Sequence, residues 1–239
     1  GKLQLKKWLL GIGALTLSFS LAACNSEDSS AKEDKAKEEK TATKTEEKTE
    51  DKTTAKKDSS TEEKYKFSNE SGDFTMLAGY TNDQSDKEQG FITLDFQGFT
   101  LKFMPVLVEL KLSDTMKQEE EYSGKDTVRA IMVSTEAENT ADHDVDYNGD
   151  ITVITDTKEQ LTADSGLLSN NPIVKTYKGK VKEEGYFLIP LKDQKSTPKE
   201  LELRFTPPYK VENGAVNTDT GLMGKEQTVK VKYTSRESL

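Results

Sequence analysis

Asp144-Val-Asp146-Tyr-Asn148-Gly149-Asp150-Ile151 is the one stretch that fits a metal-binding pattern letter by letter. Oxygen donors at positions one, three and five, with a glycine at six for the sharp turn and an aliphatic at eight, open a calcium loop. Such a loop closes with a bidentate glutamate at position twelve, and here that position is Thr155. The missing carboxylate favours the competing reading, an acidic hairpin corner with Asn148-Gly149 as its turn. Calcium binding through Asp144, Asp146, Asn148 and Asp150 is then at most a weak, millimolar affair.

Other chemistry is scarce. His143 is the only histidine and Cys24 the only cysteine, so a conventional zinc site cannot be assembled. A serine triad would have to use His143, and no Gly-x-Ser-x-Gly elbow is present. Glu119 to Glu121 beside Tyr122, and Glu183 with Glu184, are adjacent acids on polar stretches, which solvent claims before a glycosidic bond does. Neither Gly179 to Gly185 nor Gly221 to Lys225 has phosphate-loop spacing. The expectation is a protein without cofactor and without enzymatic activity.

Cys24 carries the clearest signal. Lys2, Lys6 and Lys7 precede sixteen uncharged residues, Trp8 to Ala23, the charged and apolar regions of an export signal. As a helix this run rises about 24 Å, short of a hydrocarbon core of roughly 30 Å. Leu21-Ala22-Ala23-Cys24 closing such a run resembles the lipobox of a bacterial lipoprotein signal peptide. That likeness implies a diacylglyceryl group on the Cys24 sulfur, removal of residues 1–23, and location on the outer face of the cell membrane. Two or three acyl chains, at about 0.8 kcal/mol per buried methylene, anchor stably without a spanning helix. A lone cysteine also means that no disulfide within the chain contributes to stability.

Residues 25–64 hold ten lysines, thirteen acids and no apolar residue beyond four alanines. With nothing to bury, ordering this backbone cannot be offset, and residues 24–64 read as a lipidated cysteine followed by a disordered tether. Forty such residues span about 35 Å on average. The remainder, 65–239, carries 21 basic and 30 acidic residues, a balance that argues against nucleic acid and against docking on anionic lipid through the domain itself.

That remainder alternates like strands. Ile92, Leu94 and Phe96 lead through Gln97-Gly98 to Phe99, Leu101 and Phe103, which reads as a tight hairpin. At Met104-Pro105 the apolar phase slips by one, to Val106, Val108, Leu110 and Leu112, which predicts a bulge or edge kink. Met116 to Tyr122 reads as loop or short helix. Val128 to Ala137 is apolar on both faces, as in a central strand covered on both sides. An acidic connection, 138–150, precedes a strand over 151–155, and 161–172 reads as loop. Residues 173–181 and 185–191 predict a hairpin across Lys182-Glu183-Glu184, with Pro190 at an edge. Leu201, Leu203 and Phe205 alternate until Pro207-Pro208, 213–224 reads as loop, and Val229, Val231 and Tyr233 form a last strand. Seven to nine strands and few helices predict an all-β fold, a β-sandwich closed by Greek-key connections.

Glu138-Asn-Thr-Ala-Asp-His-Asp-Val-Asp-Tyr147, following the 128–137 strand, resembles a corner of immunoglobulin-like domains of unknown function, the telokin-like group of exported Gram-positive lipoproteins. Tyr177-Lys-Gly-Lys-Val181 followed by Gly185-Tyr-Phe-Leu-Ile-Pro190 is similar to a later hairpin of that group, and Leu201 to Phe205 to its next strand. The likeness covers roughly 99–206. It implies an immunoglobulin-like β-sandwich without catalytic activity, and it carries no functional residues across. The expected partners are the membrane, through lipid on Cys24, and an envelope or host-surface protein. The alternatives are a solute-binding lipoprotein of a transporter, a weak calcium-binding surface protein, and a carboxylate hydrolase.

Overall fold

The structure, a computed structural model, describes residues 62–163, 168–169 and 172–239. The expected signal peptide, Cys24 and almost all of the tether lie outside the described residues, as does part of the 161–172 loop.

The fold is all-β and antiparallel, a sandwich built from strands and three short 3-10 turns among the described residues. The strands are β1 (Lys66–Asn69), β2 (Gly72–Thr81), β3 (Ile92–Phe96), β4 (Phe99–Leu112), β5 (Thr127–Asn139), β6 (Val145–Tyr147), β7 (Ile151–Thr155), β8 (Gln160–Thr162), β9 (Lys175–Tyr177), β10 (Lys182–Pro190), β11 (Glu200–Phe205), β12 (Tyr209–Glu212), β13 (Ala215–Val216) and β14 (Gln227–Ser235). The main sheet runs β10-β5-β4-β2-β14-β11-β7-β8, with β1 on β2 and β3 on β4; a small sheet runs β13-β12-β6-β9.

The main sheet supplies both leaves of the sandwich. β4 and β11 are separated in it by two strands, which at about 4.8 Å per spacing is some 14 Å. Yet the rings of Phe103 and Phe205 lie 4.5 Å apart, so the sheet folds over and closes on itself. Between the leaves sits a first core, with Phe99, Leu101 and Phe103 from β4 against Val153, Leu203 and Val231 from β7, β11 and β14. A second core forms on the opposite face of the same central strands, where Phe74, Val108, Leu110, Met132 and Leu188 are covered by Tyr65, Tyr122 and Leu239.

Two cores explain two features of the sequence. β5 lies between β4 and β10 and faces both: Val128, Ala130 and Met132 enter the second core, Ile131, Val133 and Ala137 the first. This is the two-sided burial expected for 128–137. The apolar shift at Met104-Pro105, by contrast, is neither bulge nor kink. β4 pairs with β5 in unbroken register from Phe99↔Asn139 to Lys111↔Thr127, and what changes is which face is buried. Phe99, Leu101 and Phe103 serve the first core, while Met104, Val106, Val108, Leu110 and Leu112 serve the second. On its other flank β4 exchanges partners here, from β3 (last pair Ile92↔Phe103) to β2 (first pair Gly79↔Val106). Pro105 falls in that gap, where no ladder on that flank needs its missing donor.

The irregularity is in β2 instead, between Met76 and Ala78. Strict alternation would keep even residues on one face, but the extra Leu77 turns the strand over. Phe74 and Met76 enter the second core, and Ala78 and Tyr80 the first.

The Gln97-Gly98 hairpin is as expected, with Phe96 opposite Phe99. Both turn residues have positive φ, 54° and 98°, the geometry of a type I′ turn. Asn213-Gly214 makes a second such turn between β12 and β13, inside the stretch expected to be loop. The hairpin expected across Lys182 to Glu184 does not form. These residues open β10, which pairs with β5 from Lys182↔Glu138 to Pro190↔Ala130, while β9 pairs with β6 in the small sheet. The polar run stays extended because it continues the β5 ladder and two of its charges find partners on neighbouring strands, Lys182 Nζ lying 2.9 Å from Glu136 Oε1 and Glu183 Oε1 2.8 Å from Lys175 Nζ.

Glu62, which composition assigns to the tether, belongs to the folded body. Its carboxylate receives Arg236 Nη2 at 3.0 and 3.1 Å, Arg236 Nη1 donates to Met76 O at 3.1 Å, and the guanidinium lies 4.4 Å from the Tyr65 ring centroid.

Candidate functional site

The face of β4, β5 and β10 that lines the second core does not stay apolar to its end. Cross-strand rows run Met104–Ser134–Tyr186, then Lys102–Glu136–Glu184, then Thr100–Glu138–Lys182. Where the core stops, this polar floor begins. The β2–β3 connection rises beside it as a wall, held by Asp86: its carboxylate accepts the backbone N–H groups of Glu88 at 3.0 Å, Gln89 at 2.6 Å and Phe91 at 3.0 Å. Between floor and wall lies a cleft of about 410 Å³, lined chiefly by Glu88, Phe91, Lys102, Ser134, Glu136 and Glu184. That volume is within the range of small-ligand sites.

The floor is charged and partly paired. Glu136 Oε1 is approached by Lys182 Nζ at 2.9 Å and Lys102 Nζ at 3.9 Å. The hydrogen bond to Glu136 holds the Lys182 ammonium above the usual lysine range. Glu184 and Glu88 are exposed, and neither makes an ion pair within 4 Å among the described residues. At the inner end, Ser134 is only 5% exposed and its hydroxyl has no hydrogen-bond partner among the described residues. A buried, unsatisfied hydroxyl costs about 1–3 kcal/mol. Its neighbour Thr135, on the opposite face of β5, is satisfied: Oγ1 donates to Gly185 O at 2.9 Å. Among the described residues no histidine lines the cleft, and Ser134 Oγ has no base within hydrogen-bond distance.

The outer edge of β10 borders this cleft. Asn139 N donates to Val181 O and Leu191 N to Arg129 O, which fixes the odd residues of β10 as those that bond β5. The even residues therefore turn their backbone groups outward. Two of these positions are closed: Leu188 N donates to Ser169 Oγ at 2.9 Å, and Pro190 has no N–H to offer. Lys182 and Glu184 leave the cleft end of the edge without a strand partner among the described residues.

The calcium-like residues are not gathered into a cage. Val145–Tyr147 is strand β6, and extended chain at about 3.3 Å per residue separates its donors instead of coiling them round an ion. Asp144 Oδ1 accepts Gly179 N at 2.9 Å and Asp146 Oδ1 accepts Thr176 Oγ1 at 2.8 Å, while Asn148 and Asp150 are exposed. No group of three or more metal-ligating side chains occurs among the described residues. Asn148-Gly149 is a corner, but not of a hairpin: it passes the chain from the small sheet to the main one, and β6 and β7 do not pair with each other. Gly149 has φ +71°, and a Cβ there would come within 2.8 Å of Phe187 and Val174. His143 lies at the other end of β6, before the strand, with Nδ1 3.0 Å from Asp144 O.

Buried Glu159 and half-buried Arg129 hold loops. Glu159 Oε1 accepts the amides of Lys192 and Asp193, and Arg129 Nη1 donates to Ser196 O and Thr197 Oγ1, fixing the β10–β11 connection. The cleft was missed in the sequence, although it left one trace: Ser134 and Thr135 interrupt the most apolar strand of the chain.

No known protein family and no curated protein matches the chain. A solved structure described as a functionally unknown protein from Listeria monocytogenes EGD-e is similar over 69% of this chain and 88% of its own, at 12% identity and a TM-score of 0.41.

Proposed function

We propose that this chain is an exported lipoprotein of the telokin-like, immunoglobulin-like kind. Acyl chains on Cys24 hold it at the outer face of the bacterial cell membrane, and the charged segment after Cys24 is a spacer. The β-sandwich is a non-enzymatic interaction module that binds a protein of the envelope or of a host surface. One observation carries the binding role: a polar cleft with a buried, unpartnered hydroxyl at its floor adjoins the open end of edge strand β10. A backbone edge gives affinity and the neighbouring cleft gives selectivity, the division of labour in strand-addition recognition.

The test of the anchor is metabolic labelling with a palmitate analogue in the expressing bacterium. The wild-type chain takes the label and Cys24→Ala does not. An unlabelled wild-type chain, or residues 1–23 still attached in the cell, overturns the reading.

A further inference from the structure

We infer that the cleft and the open end of β10 bind an extended peptide segment of a partner protein that presents a lysine or arginine to Glu184 and Glu88; this rests on the binding role proposed above. The charge of the site selects the cation. Four carboxylates, those of Asp86, Glu88, Glu136 and Glu184, face two ammoniums, those of Lys102 and Lys182. Asp86 is occupied by three loop amides, and both lysines lie within 4 Å of Glu136 Oε1. Glu184 and Glu88, one on the floor and one on the wall, remain outside any ion pair among the described residues, and the four carboxylates exceed the two ammoniums by two.

The backbone selects an extended chain. Lys182 and Glu184 turn their N–H and C=O groups away from β5, and a peptide laid along them continues the ladder, its alternate side chains directed over the cleft. The edge admits only a short segment, because Ser169 caps Leu188 N and Pro190 offers no donor beyond it. Ser134 gives an observation independent of charge. The residue lines the cleft and is more than nine-tenths buried, and its hydroxyl has no hydrogen-bond partner among the described residues, a cost that a ligand's polar group at the inner end removes. Charged side chains on an edge strand also discourage self-association, but that role needs neither a cleft nor a buried hydroxyl.

The experiment measures fluorescence anisotropy of short dye-labelled peptides with the full chain. The probes are a Thr/Val peptide with lysine at alternate positions, its glutamate counterpart, and the lysine peptide N-methylated at alternate residues. The lysine peptide binds, its affinity falls with added salt, and Glu88→Gln with Glu184→Gln weakens it about fivefold or more, as loss of two exposed ion pairs requires. N-methylation on the ladder side abolishes binding. Equal binding of the glutamate peptide, indifference to the double substitution, indifference to N-methylation, or no binding of any peptide each overturns the inference. A chain that takes palmitate label but binds no peptide loses this ligand class while keeping the proposed anchor.

Discussion

Ser134 and Thr135 are adjacent on one strand, point to opposite faces, and should respond to mutation with opposite signs. Ser134→Ala removes a buried hydroxyl, on a residue 5% exposed, that has no partner among the described residues. The desolvation cost of such a group is about 1–3 kcal/mol, while the alanine forfeits only the few dispersion contacts of one oxygen. A net gain of about 1 kcal/mol follows. In a domain of this size that is an increase in melting temperature of about 2–4 °C. Thr135→Val keeps volume and β-branching but deletes the 2.9 Å bond to Gly185 O, so it should lose about 0.5–1.5 kcal/mol. Urea unfolding of the full chain, followed by tyrosine fluorescence, gives both values from midpoints at constant slope. A Ser134→Ala chain less stable than wild type would mean that the hydroxyl already has a partner. The argument that the cleft awaits a polar group would then fail.

Other consequences are equally direct. Gln97→Asn puts the residue best suited to positive φ before Gly98 in the β3–β4 turn and should add about 0.5 kcal/mol, read as a higher urea midpoint. Arg236→Ala removes the Glu62 pair, the bond to Met76 O and the stacking on Tyr65; a loss of about 1–2 kcal/mol is expected, with faster amide exchange over 65–69. Burial raises the phenol groups of Tyr80, Tyr147 and Tyr177 well above their ordinary value. Their stabilising contribution is complete below the unfolded value of about 10 and is lost as pH rises beyond it, because only the unfolded chain then ionises. Absorbance at 295 nm should therefore show these tyrosines ionising together with alkaline unfolding, and a smooth titration without unfolding would contradict their burial. Calcium at millimolar concentration should leave the melting midpoint unchanged, because Asp144 and Asp146 already hold Gly179 and Thr176.

The sequence made the strands legible where one face is apolar and the turn has its own chemistry. Gln97-Gly98 and the double-sided run at 128–137 are of this kind. It misled where two cores share one strand. Moving from Phe103 to Met104, the apolar positions change parity because a second core begins, and parity alone cannot separate that from a bulge. The true bulge at Leu77 was invisible for the converse reason. Phe74, Met76, Ala78 and Tyr80 keep perfect alternation in the sequence while the strand turns over beneath them. The cleft was hidden because its members come from four separate segments and look, one at a time, like ordinary surface charges. Lys182-Glu183-Glu184 resembled a turn for want of apolar residues, and only the opposing Glu136 shows why it stays extended.

The contact between Glu62 and Arg236 bears on mechanics. β1 is four residues long and among the described strands pairs only with β2, so tension applied to the chain before Glu62 would unzip it one rung at a time, beginning at Lys66↔Thr75. The guanidinium sits upstream of that rung and ties Glu62 to Met76 and to the end of β14. A tug then reaches an interior strand of the main sheet, where many rungs must yield together, before any rung of β1 is loaded.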